Sequence, residues 1–404
     1  MNPVKSWCHA ALLMLLMHAV SPGQALRAPE SLDVPYEPTP SEVVVIMLEK
    51  ARVGPADVVY DLGCGDGRIV VAAAGRFGAR GVGIDLDPMR LREARENAEI
   101  ARVADRVRFH LGDINDARIG EATVVTSYLL NDVNLSLRPL LFRQLRPGTR
   151  VVAHAFHMGD WDPDEIVRHP RARNNVVYLW VVPGSAGGRW EWTTPSDHGE
   201  LRFVLDVEQE FQFLSARLSA GDGPAVPVKK AELRGSDIVV EAEFQAGDLP
   251  AKVTCSGAIH GDTILGTQTW ATGADANTLN WLARRDPVDP AGDWEMAVSP
   301  RSASLDGCSL TISRESDGNL FAEFGHGGNR ERLRHFYRWG ACVRFDVPVS
   351  ESSSTSYTGI VEGNALHGRA VRPDSSVFQW TASRASKWQS AAGGSRRSRR
   401  GEHR

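Results

Sequence analysis

A glycine-rich loop between two apolar runs constrains the fold more than any other stretch of the chain. Residues 58–70 read VVYDLGCGDGRIV, in which an apolar run ends at Asp61 and glycines alternate at Gly63, Gly65 and Gly67 before a hydrophobic pattern resumes. Glycines at this spacing let the backbone turn tightly between a strand and a helix, where a nucleotide-like ligand can approach closely. The loop therefore predicts a strand–turn–helix unit with a ligand site at its turn.

Short apolar runs alternate with helical patterns between residues 39 and 155, which is typical of repeated βα units around a parallel sheet. In the segment TPSE, Thr39 is predicted to cap a first helix. Asp87 is predicted to cap a later helix, whose buried face would carry Leu91, Ala94, Ala98 and Ala101. The predicted strands span residues 57–61, 81–85, 106–113, 122–130 and 149–156. We therefore expect an α/β, Rossmann-like doubly wound sheet.

The first three predicted strands lead into carboxylates, at Asp61, Asp85 and Asp113. In an open α/β sheet these strand ends meet at the crevice where ligands bind. A dinucleotide fits poorly, because Arg68 occupies the third position of the G-x-G-x-x-G spacing and because Asp61 and Asp66 would repel two phosphates. A ligand with a ribose, an adenine and a cationic end suits the carboxylates better. The sequence therefore predicts S-adenosylmethionine as the cofactor.

Three motifs in residues 34–161 resemble those of the class I, seven-stranded S-adenosylmethionine-dependent methyltransferases. They are DLGCGDG at 61–67, GIDLD at 83–87 and GDIND at 112–116. The segment VPYEPTP at 34–40 is similar to the VPY-x-P-(S/T) segment of a subgroup that contains small protein-lysine methyltransferases. The resemblance covers about a third of the chain and implies a methyltransferase.

The resemblance assigns roles only to residues that match its motifs. Asp61, Gly63 and Gly65 would form the loop under the methionine part, and Asp85 would hold the ribose. The adenine would be held by Asp113 and Ile114. Tyr36 and Thr39 would lie over the cofactor or form the substrate entrance.

The segment after the fourth predicted strand, SYLLNDVN, supplies candidate catalytic side chains at Tyr128, Asn131 and Asp132. His154, at the end of the fifth strand, is either a wall of the acceptor site or a hydrogen-bonded core residue. Its separation from His157 places the two rings on opposite faces of a strand, so no metal site is expected.

The acceptor is expected to be a protein or a small molecule, with a lysine amine suggested by the subgroup resemblance. The segment SYLLNDVN departs from the (N/D)PP(Y/F) motif of methyltransferases that act on adenine in nucleic acid or on protein glutamine. The net charge of -4 gives no electrostatic reason to expect nucleic acid either.

Residues 1–25 have the layout of a secretory signal peptide, with a lysine, an apolar run and a small-residue end. Cleavage would leave no membrane span and would make the protein periplasmic or secreted. An uncleaved segment would leave it cytoplasmic or membrane-anchored. Because S-adenosylmethionine is made in the cytoplasm, export suggests an alternative: a non-catalytic binding protein with a pocket for an adenosine-type ligand and β modules that contact the envelope.

After a methyltransferase domain at 26–183, the second half contains a repeat with strand-like content. CSGAIHGDTILGT aligns with YTGIVEGNALHGR, and Trp281 and Arg285 align with Trp380 and Arg384. We predict two tandem all-β modules, barrels or sandwiches, and expect both tryptophans to fill their cores rather than bind a ligand. The modules span residues 188–286 and 290–386, ahead of a disordered basic tail at 387–404. A Cys308–Cys342 disulfide is permitted but not required.

Overall fold

Three β-sheets form the framework of the chain. The computed structural model describes residues 36–168, 175–196, 199–246, 249–272, 275–299, 307–350 and 352–385. The predicted signal peptide and the predicted basic tail lie outside these residues. Within the described ranges, no helix combines the length and the apolar character needed to cross a membrane.

The first sheet has seven strands in the order β3-β2-β1-β4-β5-β7-β6. Strands β1 to β5 are parallel, and β7 runs antiparallel to both β5 and β6. The elements are α1 (Ser41–Lys50), β1 (Val58–Leu62), α2 (Arg68–Phe77), β2 (Arg80–Asp85), α3 (Pro88–Ile100), β3 (Val107–Leu111), a short 3-10 helix (Ile114–Asp116), β4 (Val124–Ser127), α4 (Asn131–Gln144), β5 (Arg150–His154), β6 (Glu165–Arg168) and β7 (Val176–Val181).

Helices cover both faces of this sheet, which confirms the predicted doubly wound α/β fold. Side chains alternate along β1, so Val58 and Tyr60 enter the core beneath α4 while Val59 enters the core beneath α1 and α2. Asp61 lies opposite Gly83 on β2 and Thr126 on β4.

Of three local expectations about helix ends, one is confirmed and two are wrong. Asp87 caps α3 as predicted, accepting a hydrogen bond from Met89 N at 2.8 Å. Ala101 is exposed rather than buried, because α3 ends at Ile100. The residue that precedes α1 is Pro40, with no side-chain hydrogen bond, so the predicted cap at Thr39 is wrong.

Two nine-stranded antiparallel sheets follow, in which consecutive strands pair with each other except β11 with β12 and β20 with β21. The first consists of β8 (Gly188–Ser196), β9 (Gly199–Glu210), β10 (Phe213–Ala220), β11 (Val226–Pro227), β12 (Lys230–Arg234), β13 (Asp237–Ala246), β14 (Leu249–His260), β15 (Thr263–Thr272) and β16 (Asp275–Arg284). The second consists of β17 (Gly292–Ser299), β18 (Ser309–Arg314), β19 (Leu320–His326), β20 (Asn329–Arg332), β21 (Phe336–Trp339), β22 (Cys342–Ser350), β23 (Ser353–Glu362), β24 (Ala365–Val371) and β25 (Val377–Arg384).

Each of these sheets closes into an up-and-down barrel. The last strand pairs with the first, β16 with β8 and β25 with β17. The hydrogen bond from Val228 N to Ala216 O extends the β10–β11 pairing by one residue toward β12, and the one from Leu333 N to Ala322 O extends the β19–β20 pairing toward β21. The prediction of two all-β modules is thereby confirmed, with barrels rather than open sandwiches.

The sequence repeat is also a structural repeat. Trp190 near the start of the first barrel lies 4.4 Å beneath the guanidinium of Arg285, and Trp294 lies 4.5 Å beneath Arg384 in the second. Both indoles donate to the carbonyl oxygen four residues earlier. Each arginine therefore closes one end of its barrel over a buried tryptophan.

The barrel interiors are filled by side chains, as expected for small barrels. Trp281 and Trp380 are both buried in the barrel cores. The permitted disulfide is not formed: the sulfur of Cys342 accepts from Gln209 N, and the sulfur of Cys308 lies 3.2 Å from His326 Nδ1.

An ionic cluster with two buried arginines and a half-exposed carboxylate joins the α/β domain to both barrels. Arg138 on α4 and Arg344 on β22 both contact the carboxylate of Asp160, and Arg344 also pairs with Glu210 at the end of β9. Both guanidiniums lie against the ring of Phe211. The three units are therefore held together through α4.

Candidate functional site

A cleft opens at the carboxyl ends of β1 to β4, where ligands bind in open α/β sheets. Nine of the predicted site residues line it: Tyr36, Thr39, Asp61, Gly63, Gly65, Asp85, Asp113, Ile114 and Tyr128. Asn131, Asp132 and His154 are not part of the lining that the described residues form. In the same described residues, no three His, Cys, Asp or Glu side chains are placed to hold a metal ion.

Asp61 is a buried carboxyl group at the floor of the cleft. Its Oδ1 accepts a hydrogen bond of 2.7 Å from the hydroxyl of Thr126. Burial raises the pKa of Asp61 to about 7, and the negative charges of Asp85 and Asp66 also raise it. The hydrogen bond from Thr126 acts in the opposite direction and lowers this pKa. A cation in the cleft would also lower this pKa by favouring the ionised form.

Asp85 ties the glycine loop to the second strand. One carboxylate oxygen accepts from Gly65 N at 2.7 Å, and the other accepts from Asp87 N at 2.9 Å. Asp113 makes a similar local contact, accepting from Asn115 N at 2.8 Å. Because a carboxylate has about four acceptor positions, both residues keep capacity to accept from a ligand.

The carboxylates of the cleft differ in how their charge is balanced. Asp66 is held by Arg68, with oxygen–nitrogen distances of 2.9 and 2.7 Å. Burial alone would raise the pKa of Asp66, but the Arg68 hydrogen bonds and charge lower it below its ordinary value. In the described part of the chain, Asp61, Asp85 and Asp113 have no basic side chain within ion-pair distance. The cleft is therefore suited to a cationic ligand.

The backbone of the glycine loop lies directly under the ring of Tyr36. Gly65 has a positive φ of 51°, and a Cβ atom at this position would lie 2.5 Å from Tyr36 Cε2. The other side of the tyrosine ring faces the Arg90 guanidinium, 4.4 Å from the ring centroid. Only glycine permits this close approach, so the loop and Tyr36 form one wall of the cleft.

The side of the cleft away from the carboxylates is aromatic. Tyr128 stacks on Phe156, with ring centroids 6.0 Å apart, and packs against His154 at 4.1 Å. Burial, and then the neighbouring Glu37 carboxylate, raise the pKa of Tyr128. A half-buried phenol, an apolar ring and an acidic group thus meet where strand β4 ends.

Three of the predicted catalytic residues lie outside the cleft lining. His154 is buried behind Tyr128, with Nδ1 3.3 Å from Thr39 Oγ1 and Nε2 3.4 Å from Asn175 Oδ1. Burial lowers the pKa of this imidazole. Asn131 accepts a hydrogen bond from His157 N, and Asp132 is exposed on the first turn of α4.

Sequence reasoning assigned no role to Glu37, Arg68, Arg90 or Phe156, which also line the cleft. Glu37 lies inside the VPYEPTP segment, so it could have been predicted as a site residue from its position between Tyr36 and Thr39. Phe156 ends the HAF segment after strand β5, and nothing in its spacing marks it.

Comparisons with known proteins agree with this geometry. The family model described as "ANTKMT methyltransferase domain" matches residues 61–165. A protein-lysine N-methyltransferase from Saccharolobus islandicus is 46% identical over 151 residues, which are 37% of this chain and 94% of that protein. The chain belongs to the class I S-adenosylmethionine-dependent methyltransferases. Its cofactor is S-adenosylmethionine, as predicted, and its chemistry is methyl transfer.

This methyltransferase is also similar to two proteins whose names give different methyl acceptors. The adenine nucleotide translocase lysine N-methyltransferase of mouse is 34% identical over 160 residues, 39% of this chain and 68% of that protein. A crystal structure of an RNA methyltransferase from Salinibacter ruber, in complex with S-adenosyl-L-homocysteine, is 56% identical, with a TM-score of 0.35. The match covers 36% of this chain and 93% of the Salinibacter ruber chain.

The donor set of the cleft fits this cofactor. Asp61, Asp85 and Asp113 supply acceptors and negative charge, while the methionine end of S-adenosylmethionine is cationic and its ribose and adenine carry donors. Gly63 has a positive φ of 76°, which glycine adopts without strain, and a Cβ there would lie 2.9 Å from Leu129 Cδ2 in the wall of the cleft.

Proposed function

We propose that the protein transfers a methyl group from S-adenosylmethionine to the side-chain amine of a lysine in an acceptor protein. The observation that carries this proposal is the 46% identity to the Saccharolobus islandicus protein-lysine N-methyltransferase across 94% of that protein. The name of the mouse relative points to the same acceptor group.

The cofactor is held, in this proposal, by the residues that line the carboxylate side of the cleft. Asp61 lies on the side of the methionine ammonium, with the loop at Gly63 and Gly65 beneath it. Asp85 accepts from the ribose hydroxyls, and Asp113 accepts from the adenine amino group beside Ile114. Tyr36 and Thr39 cover the cofactor from the segment before α1.

The acceptor lysine enters on the aromatic side of the cleft. Tyr128 and Phe156 give an apolar channel for the aliphatic part of the side chain, and Glu37 offers a carboxylate to its ammonium group. Aromatic rings beside a carboxylate suit a cation because ring faces and negative charge both attract it. His154 acts through Tyr128, holding the phenol ring in place by packing.

Bound S-adenosylmethionine supplies a methyl carbon that its sulfonium already activates. The residues of the chain have to align the amine with this carbon and exclude water. The amine attacks only when it is neutral, so its proton must first leave. Glu37 lies beside the Tyr128 hydroxyl and is the group proposed to accept this proton.

The test is a methylation assay with the full chain, tritiated S-adenosylmethionine and a soluble extract of the source organism. Acid hydrolysis of the labelled protein fraction is expected to release ε-N-methyllysine. Asp85→Ala should remove the label because the ribose acceptor is lost. Asp105→Ala, which removes an exposed aspartate from the loop before β3, should leave the label unchanged.

The result that contradicts the proposal is equally specific. Label that disappears on ribonuclease treatment, or that appears on an amino acid other than lysine, would exclude lysine as the acceptor. Cofactor binding without any transfer would favour the alternative of a non-catalytic binding protein.

We further propose that the protein is exported, on the basis of residues 1–25. This proposal conflicts with a cytoplasmic supply of S-adenosylmethionine and is tested separately, by fractionating cells and sequencing the mature N-terminus. An N-terminus near residue 26 in the periplasm or medium supports export, and a cytoplasmic protein with Met1 contradicts it.

A further inference from the structure

A groove lined by five arginines lies between the α/β domain and the second barrel. We call it the arginine groove, after Arg143, Arg314, Arg332, Arg334 and Arg338. No Asp or Glu lines it among the residues that the structure describes. It therefore presents concentrated positive charge on a chain whose net charge is -4.

Two of these arginines are neutralised within the second barrel. Arg314 pairs with Asp289 at 2.8 Å, and Arg332 pairs with Glu315. Both ion pairs are exposed to solvent. Each pair fixes the position of a guanidinium, whose remaining N–H groups can still donate to a ligand.

Two of the other three arginines have acidic neighbours only beyond ion-pair distance, Asp317 for Arg143 and Asp289 for Arg338. In the described ranges, Arg143, Arg334 and Arg338 have no carboxylate within ion-pair distance. Arg338 instead donates to the backbone oxygens of Gly340 and Val288. Burial, and then a neighbouring guanidinium, lower the pKa of Arg338. An anion in the groove would relieve this repulsion.

Two aromatic residues of the groove, Phe142 and Phe321, do not offer open ring faces. Phe142 packs against four buried aromatic rings of the domain junction. Phe321 is covered by the Arg332 guanidinium, 4.3 Å from the ring centroid. Single-stranded nucleic acids bind such grooves by stacking bases on exposed rings. The groove therefore suits carboxylates on a polypeptide better than stacked bases.

The termini of the chain itself do not have the composition to fill the groove. Residues 387–404 contain five Arg, one Lys and one Glu. Residues 1–35 contain two basic and two acidic side chains. Neither segment is rich enough in carboxylates to supply an acidic occupant of the groove.

We propose that the arginine groove binds an acidic segment of the acceptor protein, rich in Asp and Glu, and so recruits the acceptor to the enzyme. This inference rests on the proposed protein substrate. It gives the second barrel a role in substrate selection, since four of the five arginines belong to that barrel.

The groove lies at the opposite end of α4 from the cleft. Arg143 is twelve residues from Asn131, where α4 begins beside the cleft, which corresponds to about 18 Å along a helix. An extended peptide of about six residues spans that distance. The acidic segment and the target lysine are therefore separate features of the acceptor.

Direct binding is measured by fluorescence polarisation with the full chain. The probe is a fluorescein-labelled peptide of alternating glutamate and serine, compared with the same peptide carrying glutamine and with oligouridylate. The double variant Arg143→Gln with Arg334→Gln removes two charges that have no carboxylate partner, so folding should be unaffected. We expect about tenfold weaker binding of the glutamate peptide.

A matched control variant removes one positive charge from each of the same two domains, at positions outside the groove. Arg146→Gln with Arg330→Gln changes two exposed arginines that do not line it. This variant should bind the glutamate peptide as the wild type does. Equal weakening in both double variants, or equal binding of the glutamine peptide or of oligouridylate, would overturn the proposal.

Activity provides a second readout that separates recruitment from catalysis. A lysine peptide joined to the glutamate–serine stretch should show about tenfold higher KM in the Arg143/Arg334 variant, with kcat unchanged. The lysine peptide without the stretch should be unaffected. If neither peptide is methylated, the proposed function fails while the binding data still decide the groove. If methylation occurs and the KM values do not differ, the groove proposal fails alone.

Discussion

Replacing Asp61 with asparagine should stabilise the folded protein at neutral pH and weaken cofactor binding at the same time. The carboxyl group is buried, and burial raises its pKa from 3.8 to about 7. Asparagine has nearly the same shape, carries no charge and keeps an oxygen that can accept from the Thr126 hydroxyl. The substitution therefore removes the cost of ionising a buried group without opening a cavity.

The magnitude follows from proton linkage. Between pH 3.8 and about pH 7 the folded protein keeps a proton on Asp61 that the unfolded chain has released. Wild-type stability therefore falls as pH rises through this window, by up to about 4 kcal/mol. The Asp61→Asn variant has no such loss, so its advantage should be near zero at pH 4 and reach this value by pH 8.

The assay is urea unfolding of both proteins at pH 5 and pH 8, with calorimetric titration of S-adenosylmethionine at pH 8. The variant should be more stable at pH 8 and should bind the cofactor at least about tenfold more weakly, because a charged hydrogen-bond partner is lost. Asp105→Asn, at an exposed position, should change neither quantity. A stability difference that is the same at pH 5 and pH 8 would refute the reasoning.

Three other substitutions test the glycine loop and the domain junction. Asp85→Ala loses the bond to Gly65 N and its ligand acceptors, so calorimetry should show about 100-fold weaker cofactor binding. Gly65→Ala places a Cβ 2.5 Å from Tyr36 Cε2 at a φ of 51°, and the resulting loss of cofactor affinity should be partly restored by adding Tyr36→Ala. Arg344→Met leaves Asp160 without one of its two arginines, and urea unfolding should show a loss of about 2 kcal/mol. Cofactor affinity should be unchanged, because neither residue lines the cleft.

Features that depend on short stretches of chain were accessible from the sequence. The helix predicted to follow the glycine loop is α2 (Arg68–Phe77), since its apolar periodicity and the preceding glycine are local signals. The positions of Asp61 and Asp85 followed from the ends of two predicted strands, because parallel strands bring their carboxyl ends to one edge. The barrel repeat was visible because the same glycines and tryptophans recur along the chain.

Local signals failed where a side chain found a distant partner. Thr39 has the sequence context of a helix cap, but its hydroxyl lies 3.3 Å from His154, 115 residues away. Ala101 fits the buried face of α3 by periodicity and is exposed because the helix ends before it. Asn131 and Asp132 follow strand β4, yet the direction in which α4 begins keeps both out of the cleft lining.

The sequence by itself determined the α/β fold, the cofactor and the three strand-end carboxylates, because hydrophobic periodicity, glycine spacing and charge act over a few residues. Only the tertiary structure decided how the three units meet. Asp160 joins Arg138 to Arg344 across 206 residues of sequence, and Arg143 reaches the arginines of the second barrel. Such contacts depend on how folded units dock, and no local pattern encodes the docking.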